Sequence, residues 1–231
     1  LDLRQQMTDQ SSSKPFDFLT GRKLSTMDVV TTLHHAADDS RVKSVFIRLP
    51  ESGMSPAAAE EIRDAILYVR RASQPVIAHS QGLYPDTMVV ASYMLGSAAS
   101  ELWMQPRASF QVTGISTNTM FMKRAFDKFG VQAQYEQRYE FKNAVNPYLH
   151  DDYTPSHKEA QLSWMGSIYR TSLVTAAADR KLAPEAVVSA IESGPWSAAQ
   201  AKERKLIDNV GQVKEASDAL LARAGKNAKL I

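Results

Sequence analysis

Short runs rich in β-branched residues alternate along this chain with longer segments whose apolar residues recur at helical spacing. Residues 42–49 and 75–78 are the clearest of the strand-like runs. The helical segments beside them open with Ser25 and with Ser55-Pro56, residues that favour a helix N-terminus. Strands that alternate with helices predict an α/β domain built on a largely parallel sheet.

The same criteria place the other elements. Further strands are predicted at residues 1–4, 101–104 and 131–139, the last of which leads to Lys142. Helices are predicted from Ser25 and Ser55, at residues 86–99 and 118–129, from Thr154, Pro184 and Ser197, and at residues 213–224. The helix at 86–99 is apolar on most faces, which predicts burial. Residues 8–24 are rich in small polar and charged residues, so they are predicted to form a mobile loop. Residues 154–231 are expected to be mostly helical.

Composition bounds the size and the partners of the domain. The 231 residues and the 44% hydrophobic content suit one globular domain over residues 1–231, or one compact unit of a larger protein. The net charge of +2 comes without a basic stripe, which argues against a nucleic-acid partner. The chain has no cysteine, so it can form neither a disulfide framework nor a thiolate metal site. No apolar run approaches the ~18 residues of a membrane span.

The sequence gives no sign of a cofactor or a metal, because it contains no glycine-rich phosphate loop, no HExxH pattern and no nucleophile elbow. His34 and His35 are adjacent on a predicted helix, where neighbouring side chains point about 100° apart and do not easily share a metal. Asp151 and Asp152 could form an acid–base pair, but just before a helix they are better placed to favour its positive N-terminus.

One lysine lies in an apolar stretch, since Lys142 follows Phe141 and precedes Asn143-Ala144-Val145. Burial disfavours the charged form of a lysine, so a desolvated lysine can lose its proton near neutral pH and serve as a general base. The alternative is that the Lys142 stem packs on apolar neighbours while its ammonium stays in water. The residues alone favour the second of these interpretations.

The segment around this lysine resembles the catalytic-lysine segment of the signal peptide peptidase A (protease IV) family. The matching residues are Phe141-Lys142-Asn143-Ala144-Val145-Asn146-Pro147, followed by Asp151-Asp152 and Thr154-Pro155. The likeness extends over residues 25–220 and includes residues 38–45, 91–106, 194–202 and 205–208. The resemblance implies a ClpP/crotonase-like fold, which is a spiral of strand-strand-helix units, here with a helix-rich C-terminal part.

The resemblance also implies a Ser-Lys dyad in which Lys142 is the catalytic lysine. In such a dyad the serine attacks the scissile carbonyl and the neutral lysine takes the serine proton. Alignment of the family pattern on Tyr93 puts Val90 in the serine position, with Ala91-Ser92 in place of Gly-Gly. The oxyanion loop falls at residues 50–53, which keep a single glycine. These departures match the N-terminal, lysine-bearing half of long two-copy members, whose second copy supplies the serine, so the chain alone is expected to be inactive.

The implied activity is that of an endopeptidase that degrades cleaved signal peptides and other hydrophobic or unfolded chains. Its partners would be these peptides, a C-terminal half that bears the serine, and further copies in a homo-oligomer. The implied location is the periplasmic side of the bacterial inner membrane, reached through an anchor outside this chain. The apolar segments at 162–173 and 213–221 exceed what one small sheet must cover, so part of this surface is expected to meet another copy or the missing half.

Other interpretations stay open at this point. Ser92 could be a displaced nucleophile, although a small residue on a buried helix usually serves packing. Residues 11–14 (SSSK) and 40–43 (SRVK) both fit the S-x-x-K pattern, which often matches by chance. The alternative functions are a non-catalytic scaffold of the same fold and a crotonase-like acyl-CoA enzyme. The second is disfavoured because Lys142 has no part in its chemistry.

Overall fold

The computed structural model describes residues 1–5, 7–10, 24–86, 88–225 and 227–230. The chain folds into two compact units, the first made of Leu1–Gly114 with Thr171–Ile231 and the second of Ile115–Arg170. Compact units can belong to one domain, and the single domain expected over residues 1–231 stays a prediction.

A four-stranded parallel sheet forms the centre of the first unit. In spatial order its strands are β1 (Val45–Arg48), β2 (Val76–Ser80), β3 (Glu101–Met104) and β6 (Asn209–Val210). Ile77 in β2 lies beside Phe46 on one side and Glu101 on the other. A separate antiparallel pair joins β4 (Ser109–Phe110) to β5 (Trp196–Ser197). The predicted α/β class with a parallel sheet is confirmed.

Two helices of the first unit have the side-chain caps that the sequence predicts, whereas Ser55 makes no side-chain cap bond before the helix that begins at Pro56. The Ser25 hydroxyl accepts from the Asp28 N–H at 3.0 Å, and Ser197 forms a capping box with Gln200. Among the described residues, no helix is both long and apolar enough to cross a membrane. The helices are α1 (Thr26–Asp38), α2 (Pro56–Arg71), α3 (Val89–Ser97), the end of α6 (Pro155–Arg180), α7 (Pro184–Glu192), α8 (Ala198–Glu203) and α9 (Val213–Ala224).

The core of the first unit includes all five residues of β2, which are buried. Ile77 in this strand packs against Ala216 and Leu220 of α9. The apolar face of α9 is therefore covered by the chain's own sheet, and this part of the surface expected to meet a partner at 213–221 is already occupied. Every residue of α3 is buried, as its apolar composition predicts.

The second unit contains α4 (Lys123–Phe129), a 3₁₀ turn (Asn143–Val145), α5 (Asn146–Leu149) and the start of α6. Gly130 ends α4 in the left-handed region at φ +67°, the role that its position predicts. Among residues 115–170, all of which the structure describes, only Asn146 and His157 are fully buried. The described residues of this unit thus have no apolar core of their own.

Two predicted strands differ from expectation, and one predicted loop lies mostly outside the described residues. Residues 131–139 contain no regular element, because no strand among the described residues pairs with them to complete a ladder. The strand predicted at residues 1–4 is reduced to a single bridge between Asp2 and Arg48. Most of the loop predicted at 8–24, including the S-x-x-K pattern at 11–14, lies outside the described residues, and Thr8 pairs with Ser25.

Candidate active-site lysine segment

The turn that presents Lys142 begins with an unusual backbone dihedral. Tyr139 has φ +66°, in the left-handed region that bulky residues rarely adopt. The Lys142 N–H donates to the Tyr139 carbonyl at 3.2 Å. The 3₁₀ turn and then α5 follow at once, and the Lys142 side chain is exposed.

Two side-chain amides bond to this turn. Gln137 Nε2 donates to the Lys142 carbonyl at 2.9 Å and to Asn146 Oδ1 at 3.1 Å. Asn146 is 1% exposed, and its Nδ2 donates to Thr154 Oγ1 at 3.3 Å. A buried amide with a partner on both its oxygen and its nitrogen avoids the penalty for unsatisfied polar groups and is held in one orientation. Side chains therefore connect the Lys142 backbone to the residue that precedes α6.

The first turn of α6 bonds to the same segment. Ser156 Oγ donates to the Glu140 carbonyl at 3.1 Å. Thr154 Oγ1 accepts from the His157 N–H at 3.3 Å, as a helix-capping hydroxyl does. The residues on both sides of Lys142 are thus tied to the start of one long helix.

A small aromatic cluster surrounds His157. Its ring centroid lies 4.7 Å from that of Tyr153 and 6.4 Å from that of Phe121, and the Tyr153 hydroxyl donates to Thr119 Oγ1 at 2.6 Å. Burial lowers the pKa of His157, whose Nδ1 has no hydrogen-bond partner among the described residues. The lowered pKa favours the neutral form of the imidazole in this cluster.

An open groove with a volume of about 540 Å³ lies beside the lysine segment. Apolar side chains and small hydroxyls form most of its wall, and Glu159 adds a carboxylate. Phe141 belongs to this wall and directly precedes Lys142, so the groove and the lysine share one short segment. The lining residues are Phe141, Glu159, Ala160, Ser163, Trp164, Ser167 and Ile168.

Large apolar side chains are exposed in this part of the chain. The exposed fraction is 70% for Tyr139, 52% for Phe141, 57% for Leu162 and 40% for Trp164. Single exposed apolar side chains are common on protein surfaces, whereas a contiguous patch marks a binding surface, and Phe141 and Trp164 line the same groove. Part of the partner-facing surface expected at 162–173 is thus exposed in this chain.

The first unit contains the positions that the family pattern assigns to the serine and the oxyanion loop. Val90 is fully buried in α3. Ser92 is fully buried as well, and its hydroxyl donates to the Ser52 carbonyl at 2.6 Å. The loop at residues 50–53 therefore directs a carbonyl acceptor at Ser92, whereas an oxyanion hole needs N–H donors.

Other sequence candidates do not form sites in the described residues. Lys43 Nζ donates to the Ser40 carbonyl at 2.5 Å on the surface, so this S-x-x-K match pairs the lysine with backbone. His34 stacks on the Tyr68 ring with centroids 4.4 Å apart. No group of three His, Cys, Asp or Glu side chains that could hold a metal occurs in the described part of the chain.

The acidic pair before α6 has separate partners. Asp152 Oδ1 accepts from the Tyr153 N–H at 2.7 Å, and Asp151 lies 3.7 Å from Arg124. Both carboxylates are exposed. They behave as surface carboxylates near a helix start, as the sequence analysis favours.

The bond between Gln137 and Asn146 could not be predicted from the sequence. The two residues are nine positions apart, and no pattern in an irregular segment signals that their amides meet. The only local signal is Asn146-Pro147, a pair that indicates a turn.

Comparison with known proteins supports the same family as the lysine segment. Protease 4 of Salmonella typhi is 27% identical over 214 residues, which cover 87% of this chain and 33% of that protein. Protease 4 of Haemophilus influenzae is 27% identical over 168 residues, or 72% of this chain and 26% of that protein. Serine protease SPPA, chloroplastic, of Arabidopsis thaliana is 26% identical over 234 residues, or 100% of this chain and 33% of that protein. The chain thus spans a third or less of the length of these relatives.

The sequence profile of peptidase family S49 matches residues 69–227. The match covers most of the chain and includes both the Val90 position and Lys142. The resemblance to signal peptide peptidase A is confirmed, and the chain belongs to peptidase family S49.

Proposed function

We propose that this chain is the lysine-supplying half of a Ser-Lys endopeptidase, with Lys142 as the general base. The observation that supports this most directly is the Lys142 turn itself. It presents an exposed amine next to an exposed Phe141, on a backbone that Gln137 and Tyr139 hold by hydrogen bonds. The nucleophilic serine comes from a second copy outside this chain.

Two residues of the first unit, Val90 and Ser92, support the proposal that the nucleophilic serine lies outside this chain. Val90 offers no atom that could attack a carbonyl. The neighbouring Ser92 hydroxyl already donates its proton to the Ser52 carbonyl and is closed off from solvent. A serine must instead give its proton to a base in order to attack. The combination of an intact lysine segment and a lost serine position fits one half of a two-copy enzyme.

In the proposed chemistry Lys142 takes one proton from the serine and later gives one proton to the leaving nitrogen. The Lys142 amine accepts the proton of the remote serine as the serine oxygen bonds to the scissile carbonyl carbon. The same amine then returns the proton to the leaving nitrogen as the carbon–nitrogen bond breaks. The amine must be neutral for the first step. Contact with the second copy would remove water from the exposed lysine and disfavour its charged form, with Tyr139 and Phe141 as apolar neighbours.

The proposed substrates are cleaved signal peptides and other hydrophobic or unfolded chains. The groove supports this choice, because its wall is largely apolar and includes Phe141, the residue that precedes Lys142 in the sequence. A peptide side chain held in the groove would thus bring a nearby carbonyl close to Lys142.

The proposed setting is a homo-oligomer on the periplasmic side of the bacterial inner membrane, anchored by a segment outside this chain. Exposed apolar residues on a unit without an apolar core support assembly with another copy or with the serine-bearing half. The parallel sheet with its helical connections supports the proposal of a ClpP/crotonase-like spiral.

A serine-directed fluorophosphonate probe on the full-length protein tests the proposal. Peptide mass spectrometry is expected to find the labelled serine outside residues 1–231, and Lys142→Ala is expected to abolish labelling. Labelling at Ser92, or unchanged labelling in Lys142→Ala, would contradict the proposal. A full-length protein that assembles but does not react would favour the alternative, a non-catalytic scaffold.

A further inference from the structure

We propose that Gln137 and Asn146 are positioning residues that hold the Lys142 backbone and so fix the direction in which its side chain leaves the turn. This inference rests on the proposed function, since it concerns the same lysine. Lys142 lies between residues 131–139, which have no regular structure, and a three-residue 3₁₀ turn. Neither a strand nor a long helix holds its backbone, so its direction depends on other bonds.

Gln137 bonds to the backbone acceptor of Lys142 itself. A glutamine amide has two N–H donors. Here Gln137 Nε2 donates to the Lys142 carbonyl at 2.9 Å and to Asn146 Oδ1 at 3.1 Å. The Lys142 N–H donates to Tyr139, so both polar backbone groups of the lysine have partners. Rotation of this backbone would break at least one of these bonds, which fixes the direction in which the side chain leaves the turn.

Asn146 connects Gln137 to a long helix. Its Oδ1 accepts from Gln137 while its Nδ2 donates to Thr154 Oγ1 at 3.3 Å. Thr154 in turn caps the first turn of the 26-residue α6 through the His157 N–H. An unbroken series of hydrogen bonds thus runs from the Lys142 carbonyl to this helix.

The placement of these amides suits a functional turn better than a packing role. Tyr139, Phe141 and Lys142 all expose their side chains, so the turn buries little apolar surface. Asn146 is nevertheless 1% exposed beneath it, and an unpaired buried amide would destabilise the unit. A buried polar side chain that holds an exposed turn is explained if the turn must present its lysine in one direction.

Loss of either amide is expected to lower kcat and to leave KM nearly unchanged. A reacting group displaced by about 1 Å can lose about 10²-fold in rate. The groove that we propose for the substrate lies along α6 and does not include Gln137 or Asn146. Substrate binding is therefore expected to survive a change that reorients the lysine.

The experiment compares Gln137→Ala, Gln137→Glu and Asn146→Ala in the full-length protein, with a fluorogenic hydrophobic peptide as substrate. Gln137→Glu keeps the size of the side chain but replaces its N–H donors with acceptors, so it is expected to fail as Gln137→Ala does. We expect a fall in kcat of about 10- to 100-fold. Backbone hydrogen exchange is expected to rise at residues 138–146. Gln134→Ala, which changes an exposed glutamine three positions away, is the matched control with unchanged kcat.

Lys142→Ala separates failure of this inference from failure of the proposed function. If Lys142→Ala retains turnover, both are overturned. If Lys142→Ala is inactive while both Gln137 variants keep the normal kcat and normal exchange at 138–146, only the positioning role is overturned. A rise in KM at constant kcat would also overturn it, because that result assigns Gln137 to substrate binding.

Discussion

The Ser92 hydroxyl donates to the Ser52 carbonyl at 2.6 Å, joining helix α3 to the loop at residues 50–53. A catalytic serine directs its proton to a base, and an oxyanion loop directs N–H groups at the substrate. Here Ser92 donates its proton to the loop and not to a base, and the loop directs a carbonyl acceptor at Ser92 where an oxyanion loop would present N–H donors. The bond stabilises the loop against α3 and leaves the Ser92 oxygen in a buried site.

This bond predicts that the chain prepared alone is inert towards serine-directed reagents. Ser97 is no better placed, because it is 1% exposed and its hydroxyl donates to the Tyr93 carbonyl at 2.9 Å. We expect neither hydrolysis of peptide esters nor a covalent adduct after treatment with a fluorophosphonate, measured by mass spectrometry. An adduct on Ser92 or Ser97 would overturn the assignment of the nucleophile to another copy.

Leu162 is expected to contribute to assembly of the full-length protein. Its side chain is 57% exposed on α6. Leu162→Gln should weaken association by about 1 kcal/mol, which sedimentation velocity over a range of concentrations can measure.

Met27→Gln is the matched control for this prediction. Met27 is also 57% exposed but lies on α1 in the first unit. Equal effects of the two substitutions would argue against a specific role of Leu162. A strict monomer, both for this chain and for the full-length protein, would reject the proposed assembly.

Several helix ends could be predicted from the sequence because their chemistry is local, although the helix predicted from residue 118 begins only at Lys123. Ser25 caps the Asp28 N–H three residues on, and Gly130 adopts the left-handed conformation just after α4. A strand is different, because its backbone bonds come from another strand. The alternation at residues 131–139 resembles a strand, yet no described strand pairs with it.

The candidate site was predictable to the same extent. The order of residues around Lys142 identifies the lysine, since it is a contiguous pattern. The bonds that hold the turn depend on Tyr139 at φ +66° and on amides nine positions apart. A bulky residue rarely adopts this dihedral, so its own identity gives no sign of the turn.

His79 is expected to make the protein less stable in acid. Its ring is 0% exposed, its Nε2 lies 3.0 Å from the Gly211 carbonyl, and its Nδ1 has no partner among the described residues. Burial has the largest effect and lowers the pKa of His79 from its ordinary value of 6.5. The hydrogen bond to Gly211 acts in the opposite direction, and the charges of Arg48 and Arg4 lower the pKa further. Between this lowered pKa and pH 6.5 the unfolded chain therefore binds a proton that the folded chain does not.

The free energy of unfolding should thus be at its full value above pH 6.5 and fall as the pH drops from there towards the lowered pKa of His79. The steepest slope for one proton is about 1.4 kcal/mol per pH unit. Urea unfolding at several pH values measures this slope. His79→Gln, which cannot titrate, should reduce it, while His157 retains its own contribution. The exposed His35→Gln is the control, and an equal slope in His79→Gln and the unmodified protein would refute the assignment.

Lys142→Arg tests the general base most sharply. Arginine has a similar length, but its guanidinium does not lose a proton in the working range and cannot act as a base. General-base catalysis is typically worth about 10²- to 10⁴-fold, and turnover of a hydrophobic peptide by the full-length protein should fall by this factor. Because the Lys142 side chain is exposed, the free energy of unfolding should change by less than about 0.5 kcal/mol.

Thermal melting supplies the folding control for this substitution. Lys158→Arg makes the same change at another exposed lysine of the second unit and should leave turnover unchanged. If Lys142→Arg melted normally and kept near-normal turnover, a base that must shed its proton could not be involved. Lys142 would then be an ordinary surface cation, because only its charge would matter, and the lysine-supplying role proposed for this chain would be wrong.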